Sequence, residues 1–129
     1  MGGKATRITP QALRASPPRG GLRTGSDREE MWAMSEREIE AWMGRALRSM
    51  GCLWYKWVSP GVRGVPDRIL ITPEGQVYFV ELKADDGRLS RMQSLQIERL
   101  MAHGQRVYVV RGMAGAEAFV EMLQGGDER

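Results

Sequence analysis

The chain has 129 residues, a formal net charge of +3 and one cysteine, Cys52. That length makes one domain with room for a tail, the absence of any run of about 18 apolar residues excludes a membrane-spanning helix, and a lone cysteine excludes an internal disulfide and fits a reducing compartment. Residues 1–33 hold six basic side chains (Lys4, Arg7, Arg14, Arg19, Arg23, Arg28) against three acids (Asp27, Glu29, Glu30); subtracting these from the chain's 19 basic and 16 acidic residues leaves 13 of each in residues 34–129. The leading segment therefore carries the whole excess, and any basic surface on the rest must come from uneven distribution.

Residues 1–33 are rich in Gly, Pro, Ser, Thr and Arg and lack an apolar period, which predicts a flexible basic N-terminal extension. It reads as a spacer rather than as a basic arm touching phosphates, because charge runs are more often solvated faces. No apolar stretch of signal-peptide length follows its positive charge, which argues against secretion, and Met34 is a candidate translation start. A single domain is expected over residues 34–124, followed by a C-terminal tail at 125–129.

The spacing of Ile39, Trp42, Met43, Ala46, Leu47 and Met50 predicts an amphipathic helix over 35–50, with a Ser35–Glu38 capping box and a stop at Gly51. Leu53–Val58 is aromatic and β-branched enough for a strand, and Ser59-Pro60-Gly61 breaks it. Asp67–Thr72 and Gln76–Lys83 read as two further strands joined by Pro73-Glu74-Gly75. Asp85-Asp86-Gly87 is a turn; Ser90 caps a helix to about His103; Arg106–Val110 is a fourth strand; Ala114–Leu123 is a short helix with Ala116, Phe119, Val120 and Leu123 on one face. The order is αβββαβα.

The second and third strands bring chemistry together. With a three-residue loop, Thr72 faces Gln76 and Asp67 falls opposite Glu81, on the same face and with Cβ atoms roughly 5 Å apart. A loop of two or four residues would send them to opposite faces; Gly75 is what the three-residue loop with a bulge requires at its last position. Like charges directly opposed destabilise a sheet, so the pair calls for a cation. Lys83 shares the face of Glu81 by the period of two. Hard oxygen ligands without His or Cys nearby indicate Mg²⁺ or Mn²⁺ rather than zinc. His103, the only histidine, reads as a cap residue at a helix end.

Gly64-Val65-Pro66-Asp67 followed by Glu81-Leu82-Lys83 resembles the PD-(D/E)xK nuclease superfamily. Within it the chain is similar to stand-alone, phage or bacterial VRR-NUC domains. The blocks Tyr55-Lys56-Trp57-Val58-Ser59-Pro60-Gly61, Val80-Glu81-Leu82-Lys83-Ala84, Leu89-Ser90 with Gln93, and Val107-Tyr108-Val109-Val110 follow in that family's order over about residues 34–112. The resemblance implies an α/β fold: a restriction-endonuclease-like core in αβββαβ order, a mixed four-stranded sheet flanked by helices, here with an extra C-terminal helix.

It also implies roles. Asp67 and Glu81, helped by the Leu82 backbone carbonyl, would bind the metal, and Lys83 would orient the attacking water or stabilise charge on the phosphate. The family's first-helix glutamate falls on Glu40, at the flank of the apolar stripe, as a catalytic residue and a metal ligand either directly or through water; its ordinary alternative is an ion pair with Arg37. Gln93 matches a glutamine that borders the active site, but Ser90–Gln93 is also a capping box. Arg63, between two glycines, and Lys56, on the first strand, are candidate DNA contacts. The implied activity is Mg²⁺- or Mn²⁺-dependent hydrolysis of DNA phosphodiesters, on branched DNA in the manner of Holliday-junction resolvases, by a homodimer in the cytoplasm of a bacterial or phage-infected cell. Helix 114–123 is a candidate interface element. The alternatives are a flap, nick or restriction-type nuclease and a DNA-binding module without turnover.

Overall fold

Six buried side chains set the frame on the first helix and the strands behind it: Ile39, Met43 and Leu47 on one helical stripe, and Leu70, Tyr78 and Val80 on the sheet face that receives it. The computed structural model describes Gln11–Ala12 and residues 34–125. Helix α1 (Glu36–Ser49) begins at Ser35, whose hydroxyl accepts from the Glu38 amide while Glu38 accepts from the Ser35 amide, the reciprocal cap expected from the sequence. Its apolar stripe lies against the sheet because burial of that face, more than helix propensity, stabilises so short a helix.

The strands are β1 (Gln11–Ala12), β2 (Leu53–Lys56), β3 (Arg68–Ile71), β4 (Val77–Lys83) and β5 (Arg106–Arg111), in the sheet order β1-β5-β4-β3-β2. β2, β3 and β4 run antiparallel to one another, and β5 is parallel to β4. Between β4 and β5 passes helix α2 (Arg91–Ala102), and helix α3 (Gly112–Gly125) follows β5. The expected core order, αβββαβ with a further helix, is therefore present. Helices α1 and α3 cover one face around Tyr78, Phe119, Met43 and Leu82; α2 covers part of the other, where Ile97 meets Val107 and Val109.

Several boundaries differ from expectation for physical reasons. β2 stops at Lys56 rather than Val58, because β3, its partner, begins only at Arg68. Helix α3 begins at Gly112, straight after β5, because Val110 and Met113 are both drawn into the core and leave no length for a loop. The apolar face of α3, a candidate interface in sequence, packs inward: Met113, Ala116, Phe119 and Val120 all join the core under α1.

Gln11 and Ala12 lie within the leading segment read above as a flexible extension. They pair in parallel with β5, Gln11 beside Tyr108 and Ala12 beside Val109. Edge pairing uses backbone groups that an open strand presents to any extended segment, so side-chain pattern gives no sign of it. The remainder of the 1–33 extension and residues 126–129 lie outside the described residues. No helix among the described residues is long and apolar enough to cross a membrane.

Candidate active site

The hairpin of β3 and β4 decides what can meet. Its register pairs Ile71 with Val77 and Arg68 with Val80. Thr72 donates its amide to Gln76 O at 2.9 Å and accepts the Gly75 amide at 2.8 Å, so Pro73-Glu74-Gly75 is the loop. Gly75 sits at φ +91°, a conformation that a side chain resists. Carried one residue further, that register sets Asp67 opposite Glu81. Two hydrogen bonds tie Asp67 to β4 beyond the end of the regular ladder: the Asp67 amide donates to Glu81 Oε1 at 3.2 Å, and the Leu82 amide donates to Asp67 Oδ2 at 3.1 Å. On the other side, the Trp57 amide donates to Asp67 O at 2.7 Å. Asp67 is thus tied by backbone groups to both neighbouring strands.

Two more side chains converge on Glu81. Lys83 Nζ lies 3.4 Å from Glu81 Oε2. Gln93 Nε2 donates to the same oxygen at 2.8 Å. Gln93 holds two positions at once, since its Oε1 also accepts the Ser90 amide at 2.8 Å and its own amide donates to Ser90 Oγ at 3.0 Å. The capping box therefore aims the glutamine amide at Glu81, so Gln93 caps the helix and contacts one acid of the pair. The first turn of α2 can come this close because the loop before Asp67 packs on it through Gly64. A Cβ there would lie 2.6 Å from the Met92 carbonyl oxygen, and the residue is at φ +89°.

Burial sets the electrostatics. Glu81 is 2% exposed. Its carboxyl is pushed up to about 7, first by burial and then by the charge of Asp67, with Lys83 pulling the other way. Burial likewise raises Asp67 above the usual carboxylate range, opposed by the Leu82 amide and reinforced by Glu40. Two neighbouring acids, one buried and one half-buried, that both resist ionisation are a poor resting arrangement for the protein alone and a favourable one for a hard cation, which would favour both charged forms. The donor set fits Mg²⁺ or Mn²⁺: carboxylate oxygens, with Cys52 buried in the core on the opposite face and His103 Nδ1 engaged 2.7 Å from Arg99 O. Among the described residues no three His, Cys, Asp or Glu side chains gather closely enough to hold an ion by themselves. Mg²⁺ commonly keeps several waters and takes only one or two carboxylates, so the pair suffices as a nucleus.

The remaining candidates fall elsewhere. Glu40 pairs with Arg68 rather than with Arg37. Lys56 is exposed at the end of β2 opposite Arg68, on the sheet face that α1 covers and away from the carboxylate pair. Arg63 is exposed on the glycine loop that leads to Asp67. Arg68 and Trp57 were not singled out by the sequence. Trp57 packs against Phe79 on the face of Asp67 and Glu81, with ring centroids 5.2 Å apart and planes tilted by 45°. The signal for Arg68 was available: alternation places the residue after Asp67 on the opposite face, toward the first helix.

Residues 32–114 match the family model described as the VRR-NUC domain. A protein named "Putative nuclease p44" from Acyrthosiphon pisum secondary endosymbiont phage 1 is 40% identical over 80 residues, which span 62% of this chain and 86% of that protein. A solved structure described as a VRR-NUC domain superposes with a TM-score of 0.64 at 27% identity, covering 69% of this chain and 97% of that one. A second, described as a VRR-NUC domain protein, has a TM-score of 0.53 at 17% identity over 70% of this chain and 86% of its own, a likeness of fold alone.

Proposed function

The chain belongs to the VRR-NUC domain family, and from that membership we propose that it is a DNA endonuclease dependent on Mg²⁺ or Mn²⁺ held at Asp67 and Glu81. Its mixed sheet of four main strands with three helices is the α/β fold of that family and agrees with a PD-(D/E)xK core. The observation that carries the proposal is the facing pair of half-buried Asp67 and buried Glu81, with Lys83 and Gln93 converging on one oxygen of Glu81.

Each residue then has a task. Asp67 and Glu81 hold the cation, with the Leu82 carbonyl beside them. Bound there, the ion supplies a Lewis acid for the scissile phosphate and a water of lowered pKa. Lys83, 3.4 Å from Glu81, places a point charge where the attacking water or a phosphate oxygen arrives. Gln93 fixes the rotamer of Glu81 from a capped helix end, so the ligand oxygen is oriented before substrate binds. Glu40 borders the pair. Arg63 on its exposed loop contacts a phosphate, which positions DNA without reading its sequence, whereas Lys56 lies on the other face of the sheet.

The finer proposal is a homodimer acting on branched DNA in the bacterial or phage-infected cytoplasm. Two linked sites suit paired cuts across a junction. Edge strand β2 exposes Leu53 and Tyr55, and Val58 beyond it is 68% exposed, an apolar rim that supports association of two copies. The test is cleavage of labelled four-way junction, flap, nicked and linear DNA by the wild type and Lys83→Ala in Mg²⁺, Mn²⁺ or EDTA. Wild type is expected to cut the junction in either metal and in neither case with EDTA, and Lys83→Ala to lose about a hundredfold or more. No cleavage of any substrate by the wild type removes the nuclease reading, and equal rates on junction and linear DNA remove the branched preference.

A further inference from the structure

Arg111 has no part in the chemistry set out above, yet it stands beside Lys83. Lys83 closes β4, Arg111 closes β5, and the parallel ladder sets the two side by side. Alternation puts Arg111 on the face of Val107 and Val109, which is also the face of Glu81 and Lys83. Neighbouring strands lie about 4.8 Å apart, so two cationic residues flank each other at this end of the sheet. The turn beyond β4 folds back onto Lys83: the Gly87 amide donates to Ala84 O at 2.9 Å, and a Cβ on Gly87 would lie 3.2 Å from Lys83 Cβ. Arg111 Nε donates to Gly87 O at 3.0 Å. Its guanidinium is thereby held against the turn that packs on the stem of Lys83.

One carbonyl does not account for a guanidinium at this place. Lys83 has Glu81 at 3.4 Å, but among the described residues no carboxylate pairs with Arg111. Asp85, on the same turn, lies against Gly112 at the start of α3, where a Cβ would meet its Oδ1 at 2.6 Å, and Asp86 is exposed. The Nη groups of Arg111 have no partner among the described residues either, and they are not buried, since Arg68 Nε is the buried side-chain nitrogen left without one. A half-buried stem therefore presents an open fork to solvent. Like charges on neighbouring strands repel, so Lys83 and Arg111 call for an anion as Asp67 and Glu81 call for a cation. A planar fork already fixed through Nε suits a phosphate by geometry as well as by charge. Resting on the nuclease reading above, we infer that Arg111 is a DNA-binding residue whose Nη groups hold a backbone phosphate flanking the scissile one, on the β5 side of Lys83. Asp67 and Glu81 lie on the β3 and β4 side, so a guanidinium on β5 serves the neighbouring phosphate rather than the reacting one.

The test is DNA binding by fluorescence anisotropy in EDTA over a range of salt, with labelled linear and four-way-junction DNA, on the full chain and on Arg111→Gln and Arg111→Lys, with folding checked by circular dichroism. Loss of a charged hydrogen bond sets the scale: Arg111→Gln is expected to bind both DNAs roughly tenfold more weakly than wild type. The slope of log affinity against log salt should shrink by about one, as for one lost phosphate contact. Arg111→Lys, which keeps the charge but not the fork, should retain the wild-type slope and lose affinity. In Mg²⁺, cleavage by Arg111→Gln should show KM rising by a larger factor than kcat falls. Unchanged affinity and slope in Arg111→Gln overturn the inference, and so does a fall in kcat with both unchanged, since Arg111 would then act only by holding the turn on Lys83. If Arg111→Gln fails to fold, Arg111→Lys decides: wild-type affinity there also overturns the inference. A wild type that neither binds nor cleaves any DNA overturns it together with the nuclease reading, whereas cleavage by the wild type with binding unaltered in the variants overturns it alone.

Discussion

At Glu81 a proton competes with any cation. The folded protein holds that proton up to about pH 7, whereas the unfolded chain releases it near 4.5. Between those values the native state binds more protons than the unfolded state, so stability falls as pH rises through the window and levels off above it. Asp67, raised in the same direction, adds to the fall. In EDTA the melting temperature is expected to drop between pH 5 and 7.5, by several degrees at roughly 4–8 °C per kcal/mol for a small domain. Glu81→Gln should flatten that slope, and Mg²⁺ should raise the wild-type melting temperature most at pH 7.5 and above. A wild-type melting temperature that rises across the window would contradict the burial of an acid at this position. The pair itself was legible in the sequence because loop length and strand alternation fix which residues oppose each other. The partner of Arg68 was not, since it sits on a distant helix whose contact depends on tertiary packing.

Among the elements, helix α2 joins folding to chemistry. Its capping box holds the helix start and points Gln93 Nε2 at Glu81. The two jobs separate by mutation. Ser90→Ala removes the hydroxyl that accepts the Gln93 amide and is expected to cost about 1 kcal/mol of stability with a small change in cleavage. Gln93→Ala removes both the cap and the contact to Glu81, so cleavage should fall well beyond the stability loss. Equal effects on cleavage from the two variants would leave Gln93 with capping alone. The helices and the β3–β4 hairpin could be read from caps, period and Gly75. The early start of α3 could not, because it follows from where Val110 and Met113 are buried rather than from any local stop signal.

For the whole molecule, the edges matter. β2 closes one side of the sheet with exposed apolar residues, and Gln11–Ala12 close the other against β5. Deleting residues 1–33 is expected to leave metal-dependent cleavage in place while uncovering the β5 edge, so that self-association rises in analytical ultracentrifugation. Complete loss of cleavage with the fold intact would make the leading segment part of the active machinery. The family blocks made the architecture legible over the domain, but β1 carries no side-chain pattern to read. Whatever the DNA and however many copies assemble on it, the proposed chemistry needs a hard cation held by half-buried Asp67 and buried Glu81. The direct measurement is Mn²⁺ affinity by titration calorimetry at pH 8 in wild type and Asp67→Asn. Stoichiometric binding by the wild type, weakened by at least about tenfold in Asp67→Asn, is the predicted result; the same affinity in both proteins would place the cation elsewhere and contradict it.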